Sequence, residues 1–132
     1  MRRIFKYGLA VIRSNKLLVV RKTDTERYLI QGGKPKEGED AEECLAREIK
    51  EELNGELNLC KVRPYGLFED IAANEPNTII QISLYLGDID GRITPSSEIS
   101  DIAWVGRTNN LLLAPSIQNK ILPALITDNI IT

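Results

Sequence analysis

Histidine is absent from the entire chain. That gap removes the usual Ser-His and Cys-His schemes of nucleophilic catalysis. It also removes the commonest side-chain ligand for zinc and copper. Cysteine is scarce: Cys44 and Cys60 are the only two, and no Cys-x-x-Cys pair occurs, so neither a zinc site nor thioredoxin chemistry is expected. Two buried free thiols in a reducing compartment are the expected state. Metal chemistry, if any, must use oxygen ligands, which suit hard cations such as Mg2+, Mn2+ or Ca2+. Excess positive charge is also missing, since 17 Lys and Arg stand against 19 Asp and Glu, for a formal net charge of −2. Such a chain is poorly suited to wrapping DNA or coating an anionic membrane, and neither nucleic acid nor membrane is expected as a partner. No apolar run approaches the length that spans a bilayer. The basic start, Met1-Arg2-Arg3, is followed by Lys6, Arg13 and Lys16 without a small-residue cleavage site. No signal peptide is read, and the protein is expected to be cytoplasmic.

What is present fits one domain. The 132 residues are 42% hydrophobic and 27% charged, enough for a single core. Residues 4–13 and 16–21 read as strands joined by Ser14-Asn15, hence a β-hairpin, and Tyr28-Leu29-Ile30 as a short strand. Leu57 to Phe68 reads as one long or broken strand with Pro64 at a bend or edge. Residues 72–77 form a loop and Thr78 to Leu86 a strong strand. Asp90-Gly91 signals a tight turn, across which residues 92–94 would pair back. Ile102 to Val105 is a short strand carrying the only tryptophan, Trp104, expected in the core. Residues 115–126 read as a final helix broken or kinked at Pro123. Strands, helix, strands, helix give an α+β class, a mixed sheet with helices on its faces.

The helix between the two sets of strands is the clearest element. Asp40 is a good N-cap, with Glu43 placed to complete a capping box. Ala41, Leu45, Ile49 and Leu53 recur at the spacing of one buried face. Asn54-Gly55 tolerates the left-handed stop. The remaining positions hold Arg47, Glu48, Glu51 and Glu52, whose three carboxylates share one patch bordering the buried face. Like charges so placed repel, and a divalent cation would turn that repulsion into attraction. A solvated acidic face is the plain alternative. In front of the helix, however, Gly32-Gly33 and Gly38 flank Lys34-Pro35-Lys36-Glu37, and a glycine-bearing loop entering a helix lets backbone groups approach an ion or phosphate.

This stretch resembles the Nudix box, G-x5-E-x7-R-E-U-x-E-E-x-G-U with U a bulky aliphatic. Gly33, Glu39 and Arg47-Glu48-Ile49-Lys50-Glu51-Glu52 match in register. The pattern's last glycine and aliphatic are replaced by Asn54 and Gly55; asparagine keeps the left-handed stop. Tyr28-Leu29-Ile30-Gln31-Gly32-Gly33-Lys34 is similar to the family's leucine-proline-glycine-glycine-lysine lead-in, with Gln31 in place of proline. Ile102-Ala103-Trp104-Val105 is similar to its late tryptophan strand.

The resemblance implies a single Nudix domain over residues 1–132, an α/β/α sandwich with a mixed β-sheet. It also implies hydrolysis of a pyrophosphate bond in a nucleoside diphosphate linked to a group X. Mg2+ or Mn2+ would be bound by Glu48, Glu51 and Glu52 with a backbone carbonyl near Gly32 or Gly33. Glu51, Glu52 and Arg47 would be catalytic, Arg47 by holding the carboxylates. Without histidine the general base must be a carboxylate, either a box glutamate or Glu98; a plain surface role for Glu98 is the competing reading. Substrate contacts are expected from Arg21, Gly33, Lys34 and Glu39, with Lys36 able to act as Lys34 does; Glu39 is alternatively expected to tighten the loop or to bind metal indirectly. Tyr28 and Phe5 are open to base stacking or to packing. A nucleoside triphosphate is the expected substrate. ADP-ribose or a nucleotide sugar, and an inactive nucleotide-binding domain, are the alternatives. The partner is a nucleotide-like small molecule, and the protein a monomer or homodimer.

Overall fold

Side chains alternate across a β-strand, so a strand covered on both sides can feed two cores. The chain uses this in its first two long strands, β1 (Arg2–Ala10) and β3 (Lys16–Lys22). Leu9, Val11, Leu18 and Val20 pack on one side, against Leu45, Ile49 and Leu53 of helix α1 (Ala41–Leu53). Ala10, Leu17 and Val19 pack on the other, with Ile82 and Leu84, against Ile117, Ile121 and Leu125 from the C-terminal helical segment. The computed structural model describes residues 1–132, and between these two cores it places two sheets.

The first sheet has the order β4 (Gly32–Gly33), β1, β7 (Thr78–Leu86), β6 (Arg63–Ile71). It is mixed: β1 and β7 run parallel from Arg2↔Thr78 to Ala10↔Leu86, and the other pairs are antiparallel. The second sheet is antiparallel, with the order β2 (Ile12–Arg13), β3, β9 (Ile99–Val105). Two short strands, β5 (Glu56–Leu57) and β8 (Ile89–Asp90), pair separately. With α1 on one side and the C-terminal segment on the other, the expected α/β/α sandwich with a mixed sheet is observed. No helix is long and apolar enough to cross a membrane.

Helix α1 has the expected bounds. Asp40 accepts from the Glu43 amide, the Glu43 side chain accepts from the Asp40 amide, and Asn54 closes the helix in the left-handed conformation with φ 57°.

Elsewhere the chain departs from the local reading. The 14–15 hairpin is confined to β2 and the start of β3, because residues 2–10 leave the turn and pair with β7 and β4 instead. Residues 28–30 form only isolated bridges, to Val20 and Leu113. The 57–68 stretch splits at a turn, and β6 shifts register between Pro64 and Gly66 on the edge of its sheet. Residues 92–94 do not pair back across Gly91; Asp90 pairs with Glu56. Before Pro123 the last helix widens into a π-helical segment, Ile117–Ile121, leading to α2 (Leu122–Thr127). A wider turn relieves the clash a proline ring makes with the preceding turn's carbonyl. Cys44 is buried as expected, but Cys60 is exposed, since it falls in the turn after β5 instead of in a strand. Trp104 is half-buried at the margin of the α1 core, with the Arg13 guanidinium 5.8 Å from its ring centre.

The two sheets part between β1 and β3, and Gln31 fills the fork. Its side chain is fully buried. The side-chain amide nitrogen donates to the Leu9 carbonyl at 2.6 Å and the Leu18 carbonyl at 3.2 Å, while the Gln31 backbone carbonyl accepts from the Leu9 amide at 3.0 Å. One residue thus ties β1, β3 and the strand-to-loop corner that leads to Gly32.

Candidate active site

The corner after Gln31 decides the local geometry. Gly32 has φ 136° and packs so tightly that a Cβ there would lie 2.1 Å from the Tyr7 carbonyl oxygen; only glycine fits. Its amide, turned toward α1, donates to Glu52 Oε1 at 3.0 Å. At Gly33 a Cβ would fall 2.5 Å from the Glu48 carboxylate. Two glycines therefore let two helix carboxylates lie directly against backbone. The loop from 34 to 40 then returns the chain to the helix start.

Arg47 locks that loop to the helix. Its guanidinium donates to both oxygens of Glu39, at 2.7 and 2.9 Å, and to Glu48 Oε1 at 2.7 Å. It also reaches the Lys34 carbonyl at 3.2 Å and lies 3.5 Å from Glu51. Glu39 in turn accepts from the Lys36 amide at 2.7 Å. The Arg47 guanidinium, helped by that amide, holds the Glu39 carboxyl down at about 2. Cys44, beneath this network, has its thiol pushed up to about 11 by burial, so it carries little thiolate at neutral pH.

The three box glutamates occupy three different environments. Glu52 is buried, Glu48 is half-buried, and Glu51 is half exposed. Burial pushes the Glu52 carboxyl up, while Lys6 and the Gly32 amide pull it back. The expectation that the three carboxylates share one patch is met only loosely, and no three acidic groups of the chain gather at one point. The reason is Arg47, which draws Glu48 and Glu51 toward itself.

Beside these groups lies a cavity of about 480 Å³, at whose wall Gly32, Gly33, Lys34, Lys36, Glu48 and Glu52 come together. Arg47 and Glu98 also line it. Glu98 pairs with Lys22 at 3.3 Å. Of the residues expected to serve catalysis, metal or substrate phosphates, Arg21, Glu39 and Glu51 lie off the cavity wall. Arg21 is committed to Asp101 and to the Thr25 carbonyl. Phe5 and Tyr28 are also absent from the wall, which carries no aromatic side chain; Phe5 packs edge-on against Tyr7.

Sequence reasoning passed over two features of the cavity. One is its aliphatic wall of Ile4, Ile80 and Ile82; the other is Lys6. The signal for Lys6 was available, as a lysine at an inward position of an otherwise apolar alternating strand.

A sequence model of the NUDIX domain matches residues 6–125. The chain belongs to the Nudix family. Among curated proteins it is similar to the nucleoside triphosphatase NudI of Enterobacter sp. (strain 638), at 34% identity over 88 residues, 61% of this chain and 62% of that one. The match thus spans about three fifths of that relative's own length. Among solved structures, a MutT Nudix hydrolase from Burkholderia pseudomallei superposes with a TM-score of 0.72 at 18% identity, covering 89% of this chain and 95% of the other. The E. coli ORF135 protein superposes with a TM-score of 0.74 at 21% identity, covering 98% and 92%. At these identities the structural neighbours establish the Nudix fold.

Proposed function

We propose that residues 1–132 act as one Nudix unit that hydrolyses a pyrophosphate bond in a nucleoside triphosphate, with Mg2+ or Mn2+ as cofactor. The observation that carries this reading is the meeting of Glu48 and Glu52 with the Gly32–Gly33 corner on a cavity wall that also holds Lys34 and Lys36. Similarity to a nucleoside triphosphatase supports the choice of substrate.

The donors suit a hard divalent cation. They are all oxygens, and the space a Cβ would fill at Gly33 is what lets the Glu48 carboxylate lie there. Glu48 and Glu52 would hold the ion, with Glu51 on the solvent side and the Gly32 carbonyl as a further oxygen. When bound, such an ion draws charge from phosphate oxygens and makes water a better nucleophile. The remaining work falls to the chain itself. Arg47 fixes the helix carboxylates and the loop in one frame. Lys34 and Lys36 meet the negative charge of the phosphates. Ile4, Ile80 and Ile82 make one wall of the cavity apolar.

The test is a panel of nucleoside triphosphates, ADP-ribose and nucleotide sugars, with Mg2+ and then with excess EDTA, scored by release of pyrophosphate and phosphate. Turnover of a triphosphate with Mg2+ and none with EDTA is expected. Glu52→Gln and Glu51→Gln should each lower the rate by about a hundredfold while the fold survives. Undiminished turnover in EDTA, or near-normal rates in both variants, overturns the reading.

A further inference from the structure

Lys6 is a charge set among apolar side chains, with the Glu52 carboxylate acting on it from across the cavity without forming an ion pair. Along β1, the residues Ile4, Lys6, Gly8 and Ala10 share one face, and their partners in register on β7 are Ile80, Ile82, Leu84 and Leu86. A Cβ at Gly8 would touch Ile30 and Ile82 side chains, so this face looks into the core beneath the C-terminal helical segment. Lys6 is its one charged residue between Ile4 and Ala10. Placing an ammonium there costs free energy unless it is paired. Its protein partners are few. It donates to the Ile30 carbonyl at 2.7 Å and belongs to none of the ion pairs of the chain. An ammonium has three N–H donors, and only this one is used within the protein.

The side chain lines the cavity that Glu48 and Glu52 also line, and on the sheet it sits beside Ile4, Ile80 and Ile82. Lys34 and Lys36 line it as well, in the loop that leads into α1. Lys22 also lines it but is paired with Glu98 at 3.3 Å, so two sets of lysines outside the ion pairs reach this cavity. One group belongs to the loop, and the other is the single lysine beside the aliphatic wall. An occupant that is polyanionic at one end and carries a flat or apolar group at the other would satisfy all of these surfaces together.

We propose that Lys6 binds the phosphate that remains attached to the nucleoside, while the loop lysines hold the phosphates that leave. This rests on the reading of the chain as a nucleoside triphosphate hydrolase. The nucleoside then lies against Ile4, Ile80 and Ile82, and its phosphate is the first anion met beyond that wall. Lys6 supplies its two free N–H groups to that phosphate and keeps its hold on Ile30. The aliphatic wall, which has no aromatic to stack on, offers little discrimination between bases, so the charge at Lys6 carries a large share of the affinity for the nucleoside half.

The two halves can be measured apart, because the products divide between them. Calorimetric titration with AMP, GMP, CMP and UMP, and separately with inorganic pyrophosphate, both in Mg2+, gives an affinity for each half. Lys6→Met should weaken the best-bound monophosphate at least about tenfold and pyrophosphate by less than about threefold. Lys6→Arg should recover most of the lost affinity. Thermal unfolding identifies the variants that are folded, and Lys6→Gln replaces Lys6→Met if the latter is not. Equal weakening of both ligands, or no weakening of the monophosphate, overturns the assignment. So does a wild-type protein that binds none of the four monophosphates. Hydrolysis of the triphosphate panel, measured separately, decides the reading on which the assignment rests.

Discussion

Glu39 shows how one residue's chemistry depends on its setting. The box pattern marks it, and the expectations are substrate contact, tightening of the loop or indirect metal binding. Its side chain lies against Arg47 and the Lys36 amide, off the cavity wall, a placement that ties the loop to the helix. Its partners lower its carboxyl from an ordinary 4.5 to about 2. A carboxyl depressed in the folded state binds protons more readily when unfolded, so it stabilises the fold above its unfolded value. That contribution is complete above about pH 4.5 and disappears as pH falls toward 2. Glu39→Gln should therefore lie below the wild type in Tm at pH 6, with the gap closing as pH drops through that window. Thermal scans from pH 6 to 2.5 check it, and a gap of constant size would refute the linkage. Lys6 teaches the complementary lesson at this scale. A motif search passes over it, yet the alternation of β1 marks it as misplaced for a purely structural residue.

At the scale of elements, legibility followed the range of the interactions. Helix α1 was readable to its caps because every signal for it is local: the Asp40–Glu43 box, the four-residue apolar spacing and Asn54. The Ser14-Asn15 turn was equally local, with φ of 50° and 64°, and it does form a hairpin. The hairpin is short because β1 is claimed by β7, a strand far along the chain, and no local pattern announces a parallel partner. The same holds for β5 and β8, which pair across the intervening β6 and β7. The candidate site was legible where it rests on the helix and its loop. It was illegible where it rests on the pairing of β1 with β7, which brings the aliphatic wall to the site. The contact between loop and helix can be tested at Gly33. Gly33→Ala would set a methyl group 2.5 Å from the Glu48 carboxylate, forcing carboxylate and corner apart. Displacing a reacting group by about 1 Å can cost about a hundredfold in rate, and a loss of that order in triphosphate hydrolysis is expected, with Tm changed little. Activity within threefold of wild type would show that the close packing at Gly33 has no functional consequence.

For the whole molecule, the question is how two sheets and two cores behave as one frame for the site. The sheets separate between β1 and β3, and each core takes alternate residues from both strands. The fork where they part is held by Gln31, at the position where the family's lead-in has proline. Its amide nitrogen bonds to Leu9 on one sheet and Leu18 on the other. The side-chain oxygen beside it is buried and has no partner. An unsatisfied buried acceptor is a cost that is kept only if the rest of the group gives more in return. Here the return is alignment: the next residue is Gly32, whose amide holds Glu52. Gln31→Met keeps the length of the side chain, removes both donations and also removes the orphaned oxygen. If the bridge outweighs the orphan, the variant should lose about 1–2 kcal/mol in urea unfolding. Hydrolysis should fall further than that loss of stability explains, because the corner that carries Gly32 is no longer pinned to both sheets. Unchanged or increased stability with normal turnover would mean that the packed cores alone fix the fork, and that Gln31 serves neither the sheets nor the site.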